Sequence, residues 1–299
     1  MNSVSVIILT FNEEKNITAA IDSAINWADE IFVVDSYSTD NTVDLVLQRT
    51  EKNVHIVQHT FENFSSQWNW ALSNLPLKGK WTLKLDADER LTDEFKKEVT
   101  TKVLNKNDIE GAYFKRKFFF MGTPLTHSGF SNTYVMHLWQ TGKAKFEDRP
   151  INEHPIIEGE AIRLNSSINH FDFKSLTDWI SKHNRYSSME ARCQINGNWT
   201  GDIAPKLFGN SDERRMWIKS VYKKLPLRHF LYFFSRLIIQ KTILDGIPGI
   251  RYTLLHTTYR YWIDLKVLEY KNTEKLPHVE WPERGAPHPT LLKNNLCYE

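Results

Sequence analysis

Trp81-Thr82-Leu83-Lys84-Leu85-Asp86-Ala87-Asp88-Glu89 is a mostly apolar run that ends in a cluster of carboxylates. Residues 81–85 have the length of a buried strand, and Asp86 and Asp88 stand two apart at its end. Downstream, Thr92 caps a helix that carries Phe95, Val99 and Val103. Upstream, 64–75 reads as a helix and 54–57 as a short strand. Further back, Asp40 opens a helix to about Gln48, its carboxylate accepting the free first-turn N–H groups. Ile31-Phe32-Val33-Val34 is another strand. Residues 14–26 form a helix with Ile17, Ile21, Ala24 and Ile25 on one face, and Val4-Ser5-Val6-Ile7-Ile8-Leu9 is the first strand.

Strands and helices alternating at this spacing predict an α/β fold with a mostly parallel central sheet flanked by helices. Strands that are apolar throughout, rather than at alternate positions, agree with burial on both faces. In open sheets of this kind ligands bind beyond the carboxyl ends of the strands. That rule brings Thr10-Phe11-Asn12, Asp35 and Asp86-Ala87-Asp88 to one edge. From about 112 the pattern changes: 112–120, 133–140 and 161–168 read as strands, 121–132 as a loop, 143–160 as irregular and 175–195 as a helix. A helical, amphipathic tail follows from about 211 to 270, broken into two arms at Gly246-Ile247-Pro248-Gly249. Residues 272–299, with Pro277, Pro282, Pro287 and Pro289, read as an extended or partly mobile arm. The expected domains are 1–210, carrying the site, and 211–299.

A chain of 299 residues with 41% hydrophobic content has room for a substantial core. The two cysteines, Cys193 and Cys297, lie far apart with no His/Cys cluster, which argues against a disulfide framework or a zinc site and suits a reducing compartment. The net charge of +2 conceals an asymmetry: residues 1–110 carry 11 Lys/Arg against 18 Asp/Glu, whereas 214–270 carry 11 against three. The N-terminus does not read as a signal peptide, and no stretch reaches the ~20 apolar residues that span a bilayer.

Asp86 and Asp88 projecting into one cleft would offer charged oxygen ligands to a hard divalent cation, Mg²⁺ or Mn²⁺. Such an ion can neutralise a departing nucleoside diphosphate. Alone, an Asp-X-Asp pair is weak evidence, because such pairs also arise on solvated loops. The apolar strand before it and two other polar strand ends converging on it change that weight.

Three motifs carry a resemblance. Val4-Ser5-Val6-Ile7-Ile8-Leu9-Thr10-Phe11-Asn12-Glu13-Glu14, Val33-Val34-Asp35-Ser36-Tyr37-Ser38-Thr39-Asp40-Asn41-Thr42 and Leu85-Asp86-Ala87-Asp88-Glu89 resemble, in order and spacing, the opening, second-strand and metal motifs of family 2 glycosyltransferases of the GT-A fold. The resemblance covers about 1–175. With the segment 170–176 and the basic helical tail, it is nearest in style to the lipopolysaccharide-core β-glucosyltransferases. It implies a nucleotide pocket lined by Thr10, Asn12, Glu14, Asp35, Asp86 and Ala87, with Asp88 as the metal ligand and His170 completing the metal shell or meeting the diphosphate. It places a general base at Glu153, with Glu147 and Asp148 as rivals, and His154 as an alternative ligand. Similar sequences usually carry Lys or Arg where Trp68 stands and often glycine where Tyr37 stands. Trp68 and Trp70 read as packing residues.

The implied activity is inverting transfer of a hexose from a nucleotide-diphosphate sugar to a saccharide or lipid-linked saccharide acceptor. Alternatives are a polyprenyl-phosphate sugar transferase, a nucleotidyltransferase and a non-catalytic membrane-associated assembly module. The tail combines Arg214, Arg215, Lys219, Lys223, Lys224 and Arg228 with Trp217, Tyr222, Phe230, Tyr232, Phe233 and Phe234, the profile of interfacial membrane binding. The expected location is therefore cytoplasmic, peripheral on the inner face of the cell membrane. No nucleic-acid motif accompanies the charge.

Overall fold

The computed structural model describes all residues except 1–2, 50, 52, 128–130, 132, 148–153, 172–174, 197–206, 209–216, 218–220, 222–224, 226–227 and 299. The chain divides into two compact units. One comprises 1–126, 130–174 and 282–299, the other 127–129 and 175–281. The division thus falls at 174/175 rather than 210/211, and the last 18 residues return to the first unit.

The first unit is built on a ten-stranded sheet. Its parallel part is β1 (Val4–Thr10), β2 (Glu30–Asp35), β3 (Val54–His59) and β4 (Trp81–Lys84), joined by α1 (Ile17–Ala24), α2 (Thr42–Leu47) and α3 (Phe64–Asn74) in the spatial order β3-β2-β1-β4. Successive strand residues face opposite sides of a sheet, and both sides are filled. Val4, Val6, Ile8, Ile31, Val33, Trp81 and Leu83 belong to one core cluster. Ile7, Phe32 and Val34 belong to the other, together with Trp68 and Ala71 of α3. This explains why the strands lack alternation. Trp68 is a packing residue, 1% exposed.

Beyond β4 the sheet continues through strands distant in sequence. β5 (Glu89–Arg90) leads to α4 (Asp93–Lys102), whose first turn is capped by Thr92, Oγ1 accepting from the Phe95 N–H at 3.1 Å. Then come β6 (Gly111–Phe120), β7 (Thr123–Leu125), β8 (Tyr134–Gln140) and β11 (Ala161–Phe171), in the order β4-β8-β6-β11-β5 with β7 on β6. β8 is antiparallel to both β4 and β6. The stretch 143–160, expected to be irregular, holds a small antiparallel pair, β9 (Lys145–Phe146) and β10 (Pro155–Ile156).

The C-terminal arm differs from the extended segment expected. It forms a short helix, Pro289–Lys293, and an edge strand, β12 (Cys297–Tyr298), parallel to β3. Leu291 enters the main core at 1% exposure. Periodicity could not reveal this, because the arm is held by partners some 240 residues away in sequence.

The second unit is helical: α5 (Leu176–Ile195), α6 (Arg228–Ile238), a 3-10 helix Thr242–Asp245 and α7 (Gly246–Thr273). The break in the tail precedes Gly246-Ile247-Pro248-Gly249, which instead forms the first turn of α7. Proline is tolerated there because first-turn N–H groups have no helical acceptor. The chain reverses through Lys241 and Gly246, both at positive φ. Arg228 and His229 of α6 pair with Asp264 of α7, the latter at 2.8 Å.

Candidate active site

The β1 and β2 ends are knitted together. Thr10 and Asp35 pair in register, and Thr10 is 4% exposed. Asn12 takes a left-handed φ of 55°, a region asparagine tolerates. Its N–H donates to Ser38 Oγ at 2.8 Å and its Oδ1 accepts from the Thr39 N–H at 2.8 Å. The Glu14 carboxylate accepts from the backbone and side-chain nitrogens of Asn41. Asp40 Oδ1 accepts from the Thr42 N–H at 3.0 Å, but the helix begins one residue later than expected, with Asn41 rather than Asp40 at its N-cap position.

Asp35 is fully buried. Its carboxylate accepts from the Ser38 N–H at 2.9 Å, from Gln58 Nε2 at 2.8 Å and from the Ser38 hydroxyl. Burial pushes its pKa up, against those hydrogen bonds, with nearby Asp40 adding to the rise. Tyr37 has φ 58°, which explains why glycine suits this position: a side chain in left-handed backbone costs roughly 1–2 kcal/mol.

At the β4 end the chain turns sharply. The Glu89 N–H donates to the Asp86 carbonyl at 2.8 Å, and the Asp86 N–H donates to Glu89 Oε2 at 3.0 Å. Glu89 is 0% exposed, so the turn is fixed by a buried carboxylate. The next two residues pair as β5 with β11, placing His170 opposite Glu89. The Phe171 N–H donates to the Asp88 carbonyl at 2.7 Å. By this pairing two residues 82 positions apart meet: His170 Nδ1 lies 3.4 Å from Asp88 Oδ1. Asp86, Ala87, Asp88 and His170 thus gather at one sheet end.

Cations surround these carboxylates. Lys84 Nζ is 3.8 Å from Asp86 Oδ1, and Arg116 Nη1 is 3.5 Å from Glu89 Oε1 and 4.0 Å from Asp86 Oδ2. His137 Nδ1 is 3.9 Å from Glu89 Oε2. Burial alone would raise the Asp86 pKa, but the charges of Lys84 and Arg116, with His170, hold it well below the usual carboxylate range. Burial and the Asp86 charge push Glu89 up. Burial holds His137 well below its usual value, favouring the neutral ring. Burial would lower His170 too, yet Asp88 and Glu89 carry it upward.

Lys84 reaches the position where similar sequences carry a basic residue in α3. Its ammonium stands 4.9 Å over the Trp68 ring, so a cation occupies this neighbourhood from the adjoining strand. Lys84, Glu89, Arg116 and His137 were not singled out from sequence. The available signal was an ionisable residue inside an otherwise apolar strand, as with His137 in Tyr-Val-Met-His-Leu-Trp-Gln. Glu153 lies outside the described residues, as do Asp148 and residues 172–174. Glu147 and His154 flank it, the His154 N–H donating to Glu147 Oε1 at 3.2 Å.

Among the described residues no group of three or more His, Cys, Asp or Glu is placed to enclose a metal ion. The donor set still fits a divalent cation. Asp88 is a carboxylate at the strand end, and His170 Nδ1 is buried beside it, 3.4 Å from Asp88 Oδ1. Mg²⁺ and Mn²⁺ in nucleotide sites commonly take one or two protein ligands and complete their shell with phosphate oxygens and water.

Comparison with known proteins is decisive for the family. Residues 5–166 match the family model described as glycosyl transferase family 2. The chain belongs to that family. Its mostly parallel sheet with flanking helices is the GT-A fold. A glycosyltransferase of Rickettsia felis is 28% identical over 203 residues, 64% of this chain and 70% of the relative. The lipopolysaccharide core biosynthesis glycosyltransferase LpsC of Rhizobium meliloti is 27% identical over 197 residues, 64% of this chain and 72% of its own. Among solved structures, the mannosyltransferase PcManGT of Pyrobaculum calidifontis, in complex with GDP-Man and Mn²⁺, aligns over 89% of this chain and 87% of its own. Its identity is 15% and its TM-score 0.46.

Proposed function

We propose that this family 2 glycosyltransferase is an inverting enzyme that moves a hexose from a nucleotide-diphosphate sugar to a hydroxyl of a saccharide acceptor in surface-glycan synthesis. The observation that carries the reading is the meeting of Asp86, Asp88 and His170 at the carboxyl end of β4, alongside the β1 and β2 loops. The similarity to a lipopolysaccharide core enzyme supports a glycan acceptor, free or lipid-linked.

Each residue then has a task. Thr10, Asn12, Glu14 and Asp35 shape the nucleoside end of the donor site, and Asp86 and Ala87 the ribose and diphosphate end. Asp88 and His170 would hold Mg²⁺ or Mn²⁺, which when bound offsets charge on the departing nucleoside diphosphate. Lys84 and Arg116 keep Asp86 ionised at neutral pH. Glu153 takes the proton of the attacking acceptor hydroxyl, a contribution of ~10²–10⁴-fold in such reactions.

Glu153→Gln therefore tests the acceptor chemistry. The expected result is a fall in kcat of about 10²-fold or more, with donor affinity retained. Near-normal turnover would exclude the base role and favour a phosphate acceptor, which is already ionised. Release of pyrophosphate instead of a nucleoside diphosphate would identify a nucleotidyltransferase.

The second unit supports attachment to a membrane surface. Among the described residues no helix is long and apolar enough to cross a bilayer. The α6–α7 turn nevertheless leaves Ile238, Ile239, Ile243, Leu244 and Ile247 between 53% and 78% exposed. Lys241 and Arg251 lie exposed among them. Apolar side chains ringed by cations suit a leaflet with anionic headgroups. The reading places the enzyme on the cytoplasmic face, where thiols such as Cys193 and Cys297 stay reduced. Of the basic tail, Arg214, Arg215, Lys219, Lys223 and Lys224 lie outside the described residues.

A further inference from the structure

The C-terminal arm lies beyond the 5–166 that match the family model, yet it is fastened to the strand ends that shape the nucleoside site. Arg284 Nη1 donates to the Ser36 carbonyl at 2.8 Å. Its guanidinium carbon stands 3.7 Å over the Phe11 ring and 5.0 Å from that of Phe61. The Gly285 N–H donates to the Tyr37 carbonyl at 2.8 Å. A Cβ at Gly285 would fall 2.9 Å from the Ser38 carbonyl oxygen, so only glycine allows this approach. Further along, the His288 N–H donates to Gln58 Oε1 at 2.7 Å, and Gln58 Nε2 donates to Asp35 at 2.8 Å. Tyr37 Oη closes the loop on the Tyr298 carbonyl at 3.1 Å. The arm is thus bonded to the two residues after β2, Ser36 and Tyr37, and through Gln58 to Asp35 at the end of the strand.

These contacts fix Arg284 at one end of the site. β2 and β4 are separated by β1 in the sheet. Two strand spacings are about 10 Å, so the β2 loop is set apart from the carboxylates after β4, with the β1 loop between them. If the diphosphate lies with Asp88 and His170, the nucleobase lies toward Phe11, Asp35 and Arg284. A guanidinium is a planar fork of five N–H donors and cannot accept. It can serve the Ser36 carbonyl and a ligand oxygen together, while its face stacks on an aromatic ring.

We propose that Arg284 is a donor-binding residue supplied by the C-terminal arm, and that it selects a nucleobase presenting carbonyl oxygens, such as uracil, thymine or guanine, over adenine. This rests on the donor-site reading above. The partly exposed Phe11 and Phe61 rings hold the guanidinium in place, so little of its freedom is lost on binding.

The test is calorimetric titration of the full chain with UDP, GDP, dTDP, ADP and inorganic diphosphate, each with Mn²⁺. Wild type should bind at least one carbonyl-bearing nucleotide more tightly than ADP. Arg284→Ala should weaken that nucleotide about 10- to 100-fold, the span of a charge-assisted hydrogen bond, narrow its margin over ADP and leave diphosphate nearly unchanged. Arg284→Lys, which keeps the charge without the planar fork, should recover only part of the loss, and it carries the test if the alanine variant melts early. A variant that binds all nucleotides as wild type does, or loses diphosphate in proportion, overturns the role of Arg284. If wild type binds none of the nucleotides, the donor-site reading itself fails.

Discussion

Glu98 shows how one side chain can stand in for part of a ladder. β11 pairs with β6 in parallel, but the register shifts between Arg163 and Ser167. A bulge leaves backbone N–H groups without ladder partners. The Glu98 carboxylate takes them: it accepts from the Asn165 N–H at 3.1 Å and the Ser166 N–H at 2.8 Å, and pairs with Lys102 at 2.8 Å. Burial would raise its pKa, but these partners bring it from 4.5 down to about 2. A carboxyl whose folded pKa is depressed adds stability above its unfolded pKa and loses it as pH falls through the folded one. Glu98→Gln should therefore lower stability at pH 7 by about 1–2 kcal/mol after allowance for solvent screening. In urea melts the gap between the two proteins should close between pH 4.5 and about 2. A gap that is constant with pH would mean that packing, not ionisation, is what Glu98 contributes.

At the scale of elements, legibility followed the range of the interactions. β1, β2 and β4 could be read directly because each is a short apolar run buried on both faces. Thr92 could be read as a helix cap because its partner lies three residues on, whereas Asp40 stands one residue early, since Asn41 takes the N-cap position. β12 could not, since two residues without periodicity become a strand only by pairing with β3. Arg116 and His137 escaped for the same reason: β8 enters the sheet antiparallel between β4 and β6, and register alone brings them beside Asp86 and Glu89. α6 and the start of α7 carry a different kind of signal. Phe230, Phe234 and Ile238 recur every four residues on one helix face, and each is more than half exposed. Such a face implies a partner. In cosedimentation the protein should bind vesicles containing phosphatidylglycerol and bind phosphatidylcholine vesicles less. Paired replacement of Ile239 and Leu244 by Asp should abolish binding while leaving turnover of a soluble donor unchanged. Equal binding by the variant would remove the tip from the membrane account.

For the molecule as a whole, charge and architecture run together. The acidic residues 1–110 hold the strand ends of the proposed donor site, and the basic stretch 214–270 carries the exposed apolar tip. The strand ends that make up the candidate site were legible from the sequence, since the strand-end rule and three motifs converge on them. Its electrostatic setting was not, because Lys84, Glu89, Arg116 and His137 derive their meaning from burial and proximity. The central claim is that Asp88 and His170 form the protein's share of a metal–diphosphate site. It is tested most directly by titrating UDP, GDP and dTDP into wild type and Asp88→Asn, with Mn²⁺ present and again after chelation. The account predicts that wild type binds at least one nucleotide only when Mn²⁺ is present. The variant should lose at least the ~10- to 100-fold in metal affinity that even outer-shell partners command. Binding that survives both chelation and the Asp88 substitution, or no binding of any of the three, would contradict it.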